Sequence, residues 1–350
     1  MKRITRRRGR RSSIPLIMVV MTGLVLGLGV PPQAAHAQGS DPNQLGTSTA
    51  NFLKIGVGAR ASSMGNAFVA MADDATSLYW NPAGIGMMDG PEVTMTVTNW
   101  LLNTRLYFFG GTLDLGNMGV LGLSINHFHS GDIDETTVYE PDGTGRVFSA
   151  SNMAVGLTYA RRLSNRFSAG FTVKYVSETL DRTSSNAIAV DVGSLFVTDF
   201  LNSMRIGFNL SNLGSQMRLS GSDLLVQVPG ESGNYVPADL TTEAWDLPLL
   251  FRFGVATEVF DYEMQRLTVS AELLDSRDHQ YRVHTGGEWS FREMLFLRGG
   301  YKFNYADSGI SLGAGVQVPD IEGIGLRIDY AFESLEFLED VQRISLRLVY

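Results

Sequence analysis

The last eight residues of the chain alternate between apolar side chains and polar or smaller ones. The apolar positions are Ile344, Leu346, Leu348 and Tyr350, and the positions between them are Arg343, Ser345, Arg347 and Val349. A period of two is the pattern of a β-strand with one apolar and one polar face. The pattern therefore predicts a final strand that stops on an aromatic residue.

The same alternation recurs from residue 92 to the end of the chain. It defines fourteen strand candidates, which begin near Glu92, Asn103, Met118, Ser149, Asn165, Asn186, Met204, Leu250, Gln265, Gln280, Met294, Gly309, Glu322 and Asp340. An even number of antiparallel strands suits a single-chain barrel in a membrane. We predict an all-β fold, in which residues 92–350 form a 14-stranded antiparallel transmembrane β-barrel. A soluble sandwich or propeller is the alternative that alternation alone leaves open.

The lengths of the predicted links favour the membrane barrel. The long links, at residues 130–148, 177–185 and 213–249, all follow odd-numbered strands, and the links after even-numbered strands are short. Barrels of the bacterial outer membrane have short turns on the periplasmic side and long loops outside. We therefore expect both ends of the barrel domain on the periplasmic side and the long loops outside.

Charged residues recur on the polar faces of four consecutive predicted strands: Arg252, Glu258, Arg266, Glu272, Arg282, Glu288 and Arg298. Antiparallel hairpins would bring the acid of each strand close to the base of the next, in the pairs Glu258–Arg266, Glu272–Arg282 and Glu288–Arg298. Opposite charges across strands contribute about 0.2–1 kcal/mol. We expect these pairs to cross the lumen and make it narrow or plugged. On a soluble sheet the same residues would be solvated and contribute little.

The start of the chain has the features of a signal peptide. Seven basic residues precede an apolar run over residues 14–30, and Ala35-His36-Ala37 forms a small-x-small cleavage site. We predict that residues 1–37 are a signal peptide; an uncleaved anchor helix is the alternative. The chain has a net charge of −8, which becomes more negative when the basic segment is removed. Such a polyanion is a poor binder of nucleic acid.

Residues 38–91 differ from the rest, because Ala, Met and Gly dominate and short helices are expected. Three stretches carry a specific motif: residues 47–60 (TSTANFLKIGVGAR), 64–75 (MGNAFVAMADDA) and 78–84 (LYWNPAG). This segment resembles the PorV/PorQ family of outer-membrane proteins, which are relatives of the fatty-acid transporter FadL. The resemblance implies a fourteen-stranded barrel whose N-terminal residues 38–91 form a helical hatch, or plug. Asn81, Pro82, Ala83 and Gly84 would be its hatch motif, a rigid bend.

The sequence shows no grouping of residues that would support catalysis. His127 and His129 share a predicted strand face, but no third metal ligand accompanies them. We expect no enzymatic activity, metal or cofactor.

The resemblance implies a location in the outer membrane of a Gram-negative type bacterium and contact with its lipid. It also implies a role with the type IX secretion system, in which outer loops bind or shuttle exported cargo proteins. Tyr235 and Trp245, in the longest predicted loop, are the candidate contacts. The alternative is a FadL-like plugged channel that takes up hydrophobic small molecules.

Overall fold

The computed structural model describes residues 46–229, 234–307, 309–321 and 324–350. The predicted signal peptide, residues 1–37, lies outside these residues. The described chain contains fourteen long antiparallel strands. They are β1 (Glu92–Asn99), β2 (Arg105–Asp114), β3 (Val120–His129), β4 (Ala150–Ser164), β5 (Phe167–Leu180), β6 (Thr183–Val197), β7 (Arg205–Gly214), β8 (Leu250–Tyr262), β9 (Gln265–Ser276), β10 (His279–Phe291), β11 (Leu295–Phe303), β12 (Ile310–Ile321), β13 (Ile324–Glu333) and β14 (Val341–Val349).

The strands close into a barrel. Neighbours in the chain pair in order, and β1 pairs with β14 from Glu92 opposite Val349 to Asn99 opposite Gln342. Closure removes the free sheet edges that could not be hydrogen-bonded within lipid. The fold class predicted from alternation is confirmed.

The outer face of the wall is apolar and the inner face is polar. On β14, Ile344 and Leu346 are 57% and 43% exposed, whereas Arg343 is 1% exposed and lies inside. An apolar outer band around a polar lumen is the arrangement that a lipid bilayer requires. None of the helices in the described residues is long and apolar enough to cross a membrane.

Two long loops lie at one end of the barrel, which we call the outer end. The first follows β3 and contains a small hairpin, Ile133–Asp134 with Val147–Phe148; the second follows β7 and contains the hairpin Leu225–Pro229 with Tyr235–Asp239. The predicted long link at residues 177–185 is wrong. β5 and β6 stay paired up to Leu180 and Thr183, because their polar ends keep the strand alternation beyond the apolar band.

The N-terminal segment, residues 46–91, fills the lumen. It contains 3-10 helices at Asn51–Lys54 and Pro82–Met87, and the short helices α1 (Ala59–Ser63) and α2 (Ser77–Trp80). Its apolar side chains are buried against inward-facing residues of the wall, including Leu106 and Phe108 of β2. The hydrophobic core of the protein therefore lies inside the barrel, between the N-terminal segment and the wall.

Glycines of the wall make room for this segment. A Cβ at Gly300 of β11 would overlap the backbone of Met64 and Gly65, and a Cβ at Gly193 of β6 would overlap the Asn81 side chain. The barrel wall is thus shaped to the N-terminal segment, since any larger residue at these positions would push the segment away.

Candidate functional site

The Asn-Pro-Ala-Gly stretch joins the N-terminal segment to strands on one side of the barrel. The Asn81 side chain donates to the carbonyls of Val69 and Ser194, at 2.9 and 3.0 Å, and accepts from the Ala83 amide at 3.2 Å. The Ser168 hydroxyl donates to the Ala83 carbonyl at 2.8 Å. One amide side chain therefore ties together two turns of the segment and strand β6.

Pro82 and Gly84 complete this bend for steric reasons. Pro82 stands at the first position of the 3-10 helix, where its fixed φ suits the helix and its missing N–H costs nothing. A Cβ on Gly84 would overlap the carbonyl of Ala72. These contacts fix the Asn81–Gly84 stretch against strands β5 and β6.

Arg60 of α1 anchors the opposite side of the segment. Its guanidinium donates to both carboxylate oxygens of Glu288, at 2.9 and 3.0 Å, and to Asp74 at 3.0 Å, and it also bonds Asp73. Arg60, Asp74 and Glu288 are buried. A two-pronged contact between a guanidinium and a carboxylate is among the strongest polar contacts in proteins.

Asp74 connects Arg60 to the last strand, β14. Its carboxylate lies 3.3 Å from Arg347 of β14 as well as 3.0 Å from Arg60. Burial by itself raises the pKa of Asp74, but the guanidiniums of Arg347 and Arg60 and the hydroxyl of Thr76 hold that pKa below its usual value. Asp74 is therefore ionised whenever the segment is seated at neutral pH.

Of the three charge pairs expected across neighbouring strands, the structure contains one. Glu288 lies directly opposite Arg298, with Nε and Oε2 at 2.6 Å.

The other two expected pairs are wrong. Glu258 faces Thr268 rather than Arg266, and its nearest base is Arg205, at 3.6 Å. Glu272 faces His284, not Arg282. In both cases the register differs by two residues from the expected one. A shift of two keeps every side chain on the same face, so alternation alone could not detect it.

Glu272 binds the N-terminal segment instead. Its Oε2 accepts from the amides of Phe68 and Val69 at 3.0 and 2.8 Å, and its Oε1 lies 3.7 Å from Arg252. The guanidinium of Arg252 lies over the ring of Tyr79 at 5.3 Å. Sequence reasoning placed both charges in the lumen but missed their partners, which are backbone and aromatic groups far away in the chain.

Above the N-terminal segment, at the outer end, a cavity of about 950 Å³ opens. Its floor includes Phe52 and Lys54, and its wall includes Arg252, Arg282 and Trp245. Arg266, by contrast, borders a smaller cleft at the other end of the barrel. Tyr235 lies on the outer hairpin and is 69% exposed. The structure thus brings one of the two candidate loop contacts to the cavity and leaves the other facing solvent.

The N-terminal segment also reaches the longest loop. Ser48 forms a β-bridge with Asp246, and the Thr49 amide donates to the Asp246 carbonyl at 3.1 Å. The Ser48 hydroxyl donates to Asp278 at 2.7 Å, and Lys54 bonds the same carboxylate. Burial raises the pKa of Asp278, but the hydrogen bonds from Lys54, Ser276 and Ser48 lower it well below its usual value. Loop and segment therefore form one continuous surface around the cavity.

His127 and His129 stack with their ring centres 6.2 Å apart, and His127 lies 3.0 Å from the Ser151 hydroxyl. Within the residues that the structure describes, no group of three potential His, Cys, Asp or Glu ligands is found.

The sequence of residues 38–242 matches the family described as "Type IX secretion system protein PorV". No curated protein matches the chain. Two similar solved structures are the toluene transporters TbuX of Ralstonia pickettii (12% identity, TM-score 0.55, covering 84% of this chain and 98% of that one) and TodX of Pseudomonas putida (11%, 0.54, 84% and 97%). A FadL homologue of Pseudomonas aeruginosa is similar too (13%, 0.50, 87% and 98%). At such identities the likeness establishes the barrel fold and nothing more.

Proposed function

Because the chain belongs to the PorV family of type IX secretion system proteins, we propose that it binds or shuttles exported cargo proteins at the outer end of its outer-membrane barrel. The observation that carries the proposal is the combination of a filled lumen with a lined cavity and long loops at one end only. A filled lumen is better suited to a protein that binds partners at its surface than to a protein that works as an open pore.

The outer loops offer contact surfaces of the right chemistry. Tyr139, in the loop after β3, is 94% exposed, and Tyr235 projects from the hairpin of the longest loop. Aromatic side chains are enriched at protein interfaces and at their energetic centres. Trp245 supplies a further aromatic group where the loop meets the cavity.

Deletion of the outer hairpin tests this proposal. Residues 222–240 are replaced by a short Gly-Ser linker, which keeps the bridge between Met217 and Trp245 and the contact of Asp246 with the N-terminal segment. We expect exported cargo proteins of the type IX secretion system to co-purify with the intact protein and not with the deletion variant. A second variant, in which the small hairpin at residues 133–148 is replaced, shows whether the loop that carries Tyr139 contributes as well. Unchanged co-purification with the 222–240 variant would rule out this hairpin as the contact.

A second candidate function is uptake of hydrophobic small molecules, and the outer cavity favours it. Apolar side chains of Phe128, Leu219 and Leu274 line that cavity above the N-terminal segment, which would act as the hatch. Uptake of toluene into liposomes that contain the protein, at a rate above empty liposomes, would support this function. Equal rates would contradict it.

We further propose that the protein reaches the outer membrane after cleavage behind Ala37. The intact mass of the protein from outer membranes is expected to begin at Gln38. A mass that includes residues 1–37 would contradict the predicted signal peptide.

A further inference from the structure

Three cationic side chains line one side of the outer cavity. They are Arg282 of β10, Lys302 of β11 and Arg343 of β14, and we call them, with Tyr305, the basic sector. Glu333 lies between two of them: its carboxylate bonds Lys302 and accepts from Arg343 at 2.9 Å. The basic sector therefore has three positive charges around a single carboxylate.

Among the described residues, the partner of Arg282 is an aromatic ring and not an acid. Its guanidinium carbon lies 4.0 Å from the centre of the Tyr305 ring, and the Tyr305 hydroxyl lies 2.8 Å from the His284 ring nitrogen. No carboxylate approaches Arg282 within ion-pair distance in the part of the chain that the structure describes. Stacking on an aromatic ring orients a guanidinium and leaves its N–H groups available to a ligand.

Arg343 contributes further positive charge to the basic sector. Its Nη1 is used by Glu333, but its Nε is buried and has no acceptor among the described residues. A buried donor without an acceptor costs about 1–3 kcal/mol.

The remaining acids of the cavity are engaged elsewhere. Asp278 is bonded to Lys54, Glu178 accepts from Thr49, and Asp307 accepts the backbone amides of Glu336 and Phe337. None of these acids pairs with Arg282, whose positive charge therefore has no counter-ion among the described residues. In a concave and partly buried place such a charge attracts anions.

We propose that the basic sector binds a carboxylate of an extended polypeptide, an acidic side chain of a segment that enters the outer cavity. This inference rests on the proposed cargo-binding function and names the chemistry that it recognises. Apolar groups such as Leu338 and Trp245 can hold the neighbouring side chains of such a segment. One carboxylate oxygen of Asp307 has no donor among the described residues, and a peptide N–H can bond such an oxygen whereas an acyl chain cannot.

The test measures peptide binding to the purified full-length protein in nanodiscs by fluorescence anisotropy. The probes are a short fluorescein-labelled peptide that alternates apolar residues with Glu and the same peptide with Gln in place of Glu. We expect the Glu peptide to bind at least about tenfold more tightly, since hydrogen bonds between charged groups are worth that much. Arg282→Gln should remove the difference, and Arg282→Lys should retain part of it because charge remains without the planar fork.

The matched control is Arg182→Gln, an exposed arginine in the turn between β5 and β6. It should leave both affinities unchanged. Equal binding of the Glu and Gln peptides, or an Arg282→Gln protein that binds like wild type, would overturn the proposal. Binding of oleate without any binding of the Glu peptide would overturn the choice of a polypeptide.

This test is separate from that of the proposed function. Cargo co-purification could depend on the 222–240 hairpin while Arg282→Gln leaves peptide affinity unchanged. In that case the proposed function stands and the basic sector has no part in it. If co-purification ignores the hairpin, the proposed contact fails whatever the peptides show.

Discussion

Replacing Arg60 by methionine should loosen the N-terminal segment while the barrel stays folded. Methionine fills much of the same space but removes the bonds to Glu288 and Asp74. The strands do not depend on Arg60, because their ladder of hydrogen bonds is complete around the wall. The change therefore weakens the attachment of the N-terminal segment to the wall and not the pairing of the strands.

The size of the effect follows from the contacts. Arg60 makes three hydrogen bonds of 2.9–3.0 Å to charged groups, in addition to its bond to Asp73. Breaking a buried ion pair costs about 3–5 kcal/mol. Both carboxylates keep another arginine, Arg298 at 2.6 Å from Glu288 and Arg347 at 3.3 Å from Asp74. The expected loss is therefore at the low end, about 3 kcal/mol.

A loss of about 3 kcal/mol raises the population of the displaced segment roughly 100-fold. In planar bilayers we expect wild-type protein to conduct little, and Arg60→Met to show openings that are far more frequent. Hydrogen exchange at residues 56–75 should speed up in parallel, and exchange in the strands should not. Exchange thus reports on the segment even if the openings are too brief to record.

The control is Arg146→Met, which removes the pairs of Arg146 with Glu135 and Asp181 in the outer loops. Pairs at such exposed positions contribute little, so conductance and exchange should match wild type. Arg60→Met with the conductance and exchange of wild type would refute the anchoring role of Arg60. Large, steady currents from wild-type protein would refute the filled lumen itself.

Three further outcomes are expected. The carboxyl of Asp74 has a lowered pKa in the folded state, so its stabilising contribution is complete above about pH 4 and is lost as the pH falls through the native pKa. The difference in Tm between wild type and Asp74→Asn should thus be constant above about pH 4 and shrink below it; a difference that grew on acidification would contradict this. Gly300→Ala should release the segment around Gly65, seen as faster proteolysis there. Gly111→Ala should not, because a Cβ there would meet only the Val93 side chain, at 4.0 Å. Asn81→Ala should lower the free energy of unfolding by about 2–4 kcal/mol, because it leaves buried carbonyls unpaired; a loss below about 0.5 kcal/mol would show that the bend is held by other contacts.

Much of the barrel could be predicted from local pattern. Alternation sets which face of a strand is apolar, and the apolar face must meet lipid or a core. The fourteen strands therefore begin within a few residues of their expected positions. The last strand alternates as expected, because Ile344 and Leu346 face outward and Arg343 faces inward. The polar ends of β5 and β6 were wrongly predicted to be a loop, because a hairpin that extends beyond the membrane has the amino-acid composition of a loop.

Contacts between distant parts of the chain could not be read from the sequence. A register shift of two residues preserves every face, so the partners of Glu258 and Glu272 depended on where each turn closes. Arg60 was not recognised as an anchor, because Glu288 lies more than two hundred residues away in the chain.

The sequence alone determined that this chain forms a series of strands that each have one apolar and one polar face, since the period of a strand is a local property. The tertiary structure alone decided how the lumen is filled and that Arg282 faces the outer cavity without an acid. The physical reason is that both depend on which surfaces meet after closure, a relation between strands and segment that no local pattern records.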